Sequence, residues 1–300
     1  MTQAGTRKRV ALCLSGLVGT IEKFGVGKTV DYTLTYESFR RNIFDVSVDV
    51  DVFIHSWSVE YKDALTALYA PTSAVFEKQI DFGSQRTPRQ FAAFSKAYSS
   101  KQVIELKHRY EREQEFEYDW VFLTRLDVSI DKKVDYDAID NGYFYVNGPR
   151  RPHGGRCRCW FCDDKNPNHC VDDVVFFSNS RHMDVLAALF DSLEALAVTS
   201  RWSNHIILRK YLQQTGVWEH VNYYFTTIPN RYAHVWFLLR APPPVPSDTP
   251  LLRRKYKPWY FKLLDACIIV SKVHVFYYYV EVGTRRLLNG TLLSWGKPEA

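Results

Sequence analysis

The chain has no long apolar run, only two methionines and six cysteines. None of its 300 residues lies in a stretch of the roughly 20 uncharged apolar side chains that a membrane-spanning helix needs, so no span of that kind is expected. Near the start, the apolar run Val10 to Leu14 ends at Ser15-Gly16, too short for the apolar core of a secretory signal. The expectation is a cytoplasmic protein with reduced thiols. No internal repeat is visible, which excludes a solenoid or an array. Residues 1–250 carry no net charge. The whole +6 of the chain sits between Leu251 and Arg286, where eight Lys and Arg face two acids.

What is present is the composition of an ordinary globular protein, 46% hydrophobic and 24% charged, long enough to bury a large core. Apolar runs without a polar face predict buried strands at "RVALCL" (9–14), at 50–54, at "SAVFEK" (73–78) and at "WVFL" (120–123). Helical patterns fall between them, at 32–44, at "KDALTALYA" (62–70) and at 87–115. In the last, Phe91, Phe94 and Tyr98, then Val103, Leu106 and Tyr110, follow the spacing of one helix face. Strands alternating with helices predict an α/β fold, a mostly parallel sheet covered on both sides. Further on, "NGYFYVNG" (141–148) and "DDVVFFS" (172–178) read as strands, and "RHMDVLAALFDSLEALA" (181–197) and "SNHIILRKYLQQTG" (203–216) as helices. "APPPVPSDTP" cannot continue a helix. The chain therefore divides into a body at 1–240 with a Cys-rich insertion at 153–170, a Pro-rich linker at 241–250, and a basic, aromatic segment at 251–300.

Chemistry concentrates where the strands end. "FGVGKT" (24–29) is not a phosphate loop, because position 22, where that motif needs Gly, is Glu22. "SGLVG" after the first strand is better placed: Gly16 lets backbone N–H groups approach a nucleotide at the carboxyl edge of a sheet. His55, Ser56 and Trp57 follow the second strand at the same edge and offer polar and stacking groups. In "YDWVFLTRLDVSI" (118–130), Arg125 and Asp127 leave the fourth strand two residues apart. A carboxylate there suits Mg²⁺ or Mn²⁺ bridging two phosphates, and a guanidinium there suits the phosphates directly. The other reading of the two is a structural ion pair.

These stretches together resemble the GT-A-fold glycosyltransferases of bacteria and of large DNA viruses of algae. The resemblance rests on "RVALCLSGLVG", "DVDVFIHSW", "YEREQEFEYDWVFLTRLD" and "VDDVVFFSN", and covers about residues 8–216. It implies a GT-A-like, Rossmann-like sheet and a hexosyl- or pentosyltransferase. Such an enzyme moves sugar from a nucleoside-diphosphate donor to a hydroxyl of a glycan or glycoconjugate, with inversion. The family's metal motif is D-x-D; here the first acid is replaced by Arg125, which leaves Asp127 as the strand-end metal ligand. By the same resemblance Asp173 is the base that activates the acceptor, with Asp172 as its alternate, its carboxyl raised by its neighbour. Ser15, Gly16, His55, Trp57, Lys96, Arg125 and Asp127 would hold the donor. Trp202, Asn204 and His205, opening the helix after the strand, would contact diphosphate or acceptor.

Two segments lie outside that frame. "HGGRCRCWFCDDKNPNHC" brings Cys157, Cys159, Cys162, His169 and Cys170 together with His153, a spacing that suits a structural Zn²⁺ better than disulfides in a reduced compartment. The basic tail, which contains "LLRRKYKPWYFK", suits peripheral contact with an anionic membrane surface, or packing on the body with a solvated basic rim. Two other function classes stay open: a non-catalytic nucleotide- or glycan-binding protein, and a nucleic-acid binder acting through that tail.

Overall fold

The computed structural model describes residues 7–18, 31–83, 85–148, 171–198, 204–226 and 235–237. The Cys/His cluster, Trp202, the linker and the basic tail lie outside these residues.

The sheet is built on β1 (Lys8–Gly16), which pairs in parallel with β2 (Val48–Ser56) on one side and β4 (Trp120–Arg125) on the other. Its run is apolar on both faces because both faces are covered. Val10, Leu12 and Leu14 pack with Phe39 and Ile43 from the region of α1 (Tyr32–Asn42). Ala11 and Cys13 pack with Val103, Ile104 and Leu106 of α3 (Pro88–Glu113). The helix α2 (Lys62–Tyr69) leads into β3 (Ser73–Phe76), the outer parallel strand on β2. Local chemistry fixes the start of α3: Thr87 and Gln90 form a reciprocal capping box, and Pro88 occupies the first turn, where no N–H is missed.

Beyond β4 the sheet becomes mixed. β6 (Phe144–Gly148), β7 (Phe176–Ser178) and β8 (Val221–Thr226) complete the seven-stranded order β3-β2-β1-β4-β7-β6-β8. β7 is antiparallel to both β4 and β6, and β6 is parallel to β8. The result is a mostly parallel α/β sheet of Rossmann-like type, flanked by helices. The short β5 (Val128–Ile130) pairs with β9 (Val235–Phe237) in a separate ribbon.

The register of β7 is fixed by rings. Phe177 lies directly opposite both Phe122 and Tyr145, and its ring stacks on theirs at 4.6 Å and 4.7 Å between centroids. Stacked aromatic pairs add about 0.5–1.5 kcal/mol each beyond burial, so a slip of β7 would forfeit both.

One expected helix is two, α4 (Ser180–Ala187) and α5 (Leu189–Val198). The break falls where the Val185 carbonyl is shared between the Tyr211 hydroxyl, at 2.6 Å, and the Ala188 N–H. Tyr211 belongs to α6 (Asn204–Gln214), which packs with α5 and with Phe94 and Ala97 of α3 in a third apolar cluster. Gly216 follows α6 with φ 76°, a left-handed position that ends it.

Candidate functional site

A parallel strand delivers its last residues, and an antiparallel one its first, to the same edge of a sheet. Leu123 of β4 lies opposite Phe176 of β7, so Arg125 and Asp127 leave β4 where Asp172 and Asp173 enter β7. The first residues of α6 and the third turn of α3 reach this edge as well.

Lys96 of α3 carries its ammonium 2.6 Å from Asp173 Oδ2 and also donates to the Asp173 carbonyl. Asn204 Nδ2 donates to the same carboxylate oxygen at 3.0 Å. The Asp172 carboxylate accepts from the Asp173 N–H at 2.8 Å. His205 Nδ1 lies 2.5 Å from the Val171 carbonyl, and Asp172, Asp173 and His205 bring their ligand atoms within 4.8 Å of one another. Beside them, Arg125 grips Asp127 with two N–H groups, Nε to Oδ1 at 2.7 Å and Nη2 to Oδ2. An apolar cavity of about 50 Å³ opens behind Lys96, Asp173 and Asn204, walled by Ala97, Leu123 and Phe176.

The charges of this cluster are set by one another. Burial pushes the Lys96 ammonium down, and Asp173 only partly offsets it. Burial works to raise the Asp173 carboxyl, but Lys96 and His205 beside it override that and hold it well below the usual carboxylate range. The sequence led us to expect the opposite, a carboxyl raised by a second acid. The neighbour that decides is the ammonium of Lys96, on a helix far away in the chain. Burial also works against the Arg125 charge, and Asp127 overrides it, so the guanidinium stays firmly protonated.

Lys96, Arg125, Asp127, Asp172, Asp173, Asn204 and His205 therefore come together. Ser15, Gly16, His55 and Trp57 reach the same edge in register, with Ser15 beside both His55 and Arg125, but they are turned inward. Ser15 Oγ donates to the Thr124 carbonyl. The Gly16 N–H goes to Ser99 Oγ at 2.9 Å, and the Gly16 carbonyl accepts from Ser56 Oγ and from the Trp57 N–H. This turn needs Gly, at φ 98°, for its own shape, and its backbone groups face protein rather than a phosphate. His55 is fully buried, with Nδ1 2.8 Å from Ser99 Oγ and Nε2 2.9 Å from Glu77 Oε1. Trp57 is 5% exposed and stacks on Tyr98. Both rings brace α3 against the sheet and have no face open for a base.

The expected metal at Asp127 meets a carboxylate whose two oxygens already hold Arg125. Among the described residues no group of three His, Cys, Asp or Glu includes Asp127. Its surroundings do not fit a divalent cation. Asp172, Asp173 and His205 would fit one by residue type, but Lys96 occupies the shared oxygen of Asp173.

No protein-family model and no curated protein matches this chain.

Sequence reasoning missed one charged cluster. Lys107 is fully buried on α3, with its ammonium 2.9 Å from Glu111, 2.6 Å from Asp184 and 2.5 Å from Ser180. The i, i+4 spacing of Lys107 and Glu111 suggests a surface pair. Nothing local in the sequence marks it as buried, because α4 supplies the cover.

Proposed function

We propose that the protein is a glycosyltransferase of GT-A type, moving a sugar from a nucleoside-diphosphate donor to a hydroxyl of a glycan or glycoconjugate. The observation that carries this reading is the convergence of Lys96, Arg125, Asp127, Asp173 and Asn204 on one sheet edge from four separate parts of the chain. Ligands of open α/β sheets bind at the carboxyl ends of the strands, and this edge is where β1, β2 and β4 end. The antiparallel β7 beside β4, led in by two acids, supports the GT-A form of the fold.

In this reading the acceptor oxygen attacks the anomeric carbon, the bond from that carbon to the diphosphate breaks, and the nucleoside diphosphate leaves with the electron pair. The acceptor proton goes to Asp173. A carboxylate held low by Lys96 is a weak base at rest. A diphosphate that draws Lys96 away raises its proton affinity when the hydroxyl has to ionise. Asn204 keeps the carboxylate oriented while the ammonium moves.

The test is release of nucleoside diphosphate, and transfer of sugar, by the purified full chain across a panel of nucleotide sugars. Asp173→Asn is expected to lower turnover by about 10²-fold or more while donor affinity stays within a few-fold. Equal losses in both would make Asp173 a binding group only. The specific feature that favours a non-catalytic nucleotide- or glycan-binding protein instead is the closed Arg125–Asp127 pair, and such a protein would bind nucleotide sugars without turning them over.

A further inference from the structure

A diphosphate at the end of β4 needs positive charge there, and the acid that a metal would use already has a cation of its own. The Arg125–Asp127 pair is closed on both carboxylate oxygens, and the Asp127 side chain is 12% exposed while that of Arg125 keeps 37%. Mg²⁺ and Mn²⁺ need oxygen ligands near 2 Å and several of them, about six for Mg²⁺. To reach Asp127 such an ion must strip a two-bond guanidinium from a mostly buried carboxylate and then remain beside the charge it displaced. Two acids flanking Leu126 would present −2 to a metal; here the more exposed member of the pair is the guanidinium, which repels a cation and faces an anion with its charge. A guanidinium carries five N–H donors in one plane, so a carboxylate gripping one edge fixes the direction of the whole fork.

Resting on the nucleotide-sugar reading of this edge, we infer that Arg125 is itself the cation of the site: its guanidinium binds the donor's diphosphate, Asp127 is the positioning carboxylate that aims it, and no divalent metal is taken up at this strand end. Lys96 brings a second cationic side chain to the same edge, paired with Asp173 at 2.6 Å.

The experiment has two arms, both on the full chain. In the first, Mn²⁺ alone is titrated into wild type, Asp127→Asn and Arg125→Asp and followed by calorimetry. Wild type and Asp127→Asn are expected to give the same isotherm, while Arg125→Asp, with two acids around Leu126, gains a Mn²⁺ site. A wild-type Mn²⁺ site that Asp127→Asn removes would overturn the inference, and that comparison stands even if Arg125→Asp does not fold. In the second arm, UDP, GDP and inorganic pyrophosphate are titrated with EDTA or with Mn²⁺. Binding by wild type that is equal in both, and at least tenfold weaker in Arg125→Ala, supports the inference. Binding that requires Mn²⁺ overturns it and leaves the glycosyltransferase reading standing. No binding of any of the three under either condition overturns both.

Discussion

Replacing Asp173 by Asn tests the energetic heart of the site without reference to catalysis. The substitution keeps the shape and removes the charge that faces the Lys96 ammonium at 2.6 Å, with both side chains about four-fifths buried. Breaking a buried pair by removing one partner costs about 3–5 kcal/mol, because the other charge is left in low dielectric. Lys96 retains the Asp173 carbonyl as an acceptor, so the low end applies, about 3 kcal/mol. At about 2–4 °C per kcal/mol for a domain of this size, the melting temperature should fall by about 6–12 °C. Urea unfolding at pH 7, followed by tryptophan fluorescence, reads the loss directly. Lys96→Met in the same chain removes the stranded charge, so the double variant should recover at least half of it. The pH dependence has a definite sign. The folded Asp173 carboxyl titrates below the unfolded value of about 3.9, so its contribution is full at neutral pH and fades as pH falls below about 4. Asp173→Asn should flatten that acid limb. A loss under about 0.5 kcal/mol, or strict additivity of the two substitutions, would refute the pairing, since only an exposed and screened ion pair behaves that way.

Lys107→Met should destabilise by about 3–5 kcal/mol in urea, because it strands Glu111, which is 5% exposed, without its cation. His55→Asn should remove a decline in stability that wild type shows below about pH 6.5: burial holds the folded imidazole below its ordinary value despite Glu77, so the unfolded chain takes up the proton first. Protein purified without chelator should contain about one zinc per chain, lost with Cys159→Ser; thiol labelling that finds Cys157 and Cys170 in a disulfide, with no metal, would refute this. Full-length chain should float with anionic vesicles and not with neutral ones, and a chain cut at Pro246 should float with neither.

The sequence made the parallel half of the sheet legible because its strands are buried on both faces. "RVALCL" and "WVFL" have no polar side to disguise them, and the capping residues Thr87 and Gln90 mark the start of α3. The acids 172 and 173, the Arg125–Asp127 pair, and Asn204 with His205 were legible as chemistry because each stands at the end of an apolar element. What local pattern could not convey was which groups face each other. His55 stands at the end of a strand just as Arg125 does, yet Ser99 and Glu77 draw the imidazole inward. Lys96 sits among helix residues that look like a solvated face, and only the approach of β7 turns it into the partner of Asp173. The helix expected over 181–197 breaks at Ala188 because Tyr211, on another helix, takes the Val185 carbonyl. In each case a residue distant in sequence decides the outcome.

The antiparallel run of β7 has a consequence for how freely this protein can vary. β6 ends and β7 is led in at one edge, and the Asp172 N–H donates to the Asn147 carbonyl at 3.1 Å, so both ends of the segment 149–170 are clamped together by described residues. The closure entropy of a connection between two fixed ends grows only with the logarithm of its length, about 0.6 kcal/mol for each doubling. A change in the length of the connection between these anchors is therefore felt less by the sheet than the loss of both ring stacks of Phe177, on Phe122 and on Tyr145. The two anchors themselves, the end of β6 at Asn147 and the entry to β7 at Asp172, are where a change of backbone would be felt by the sheet.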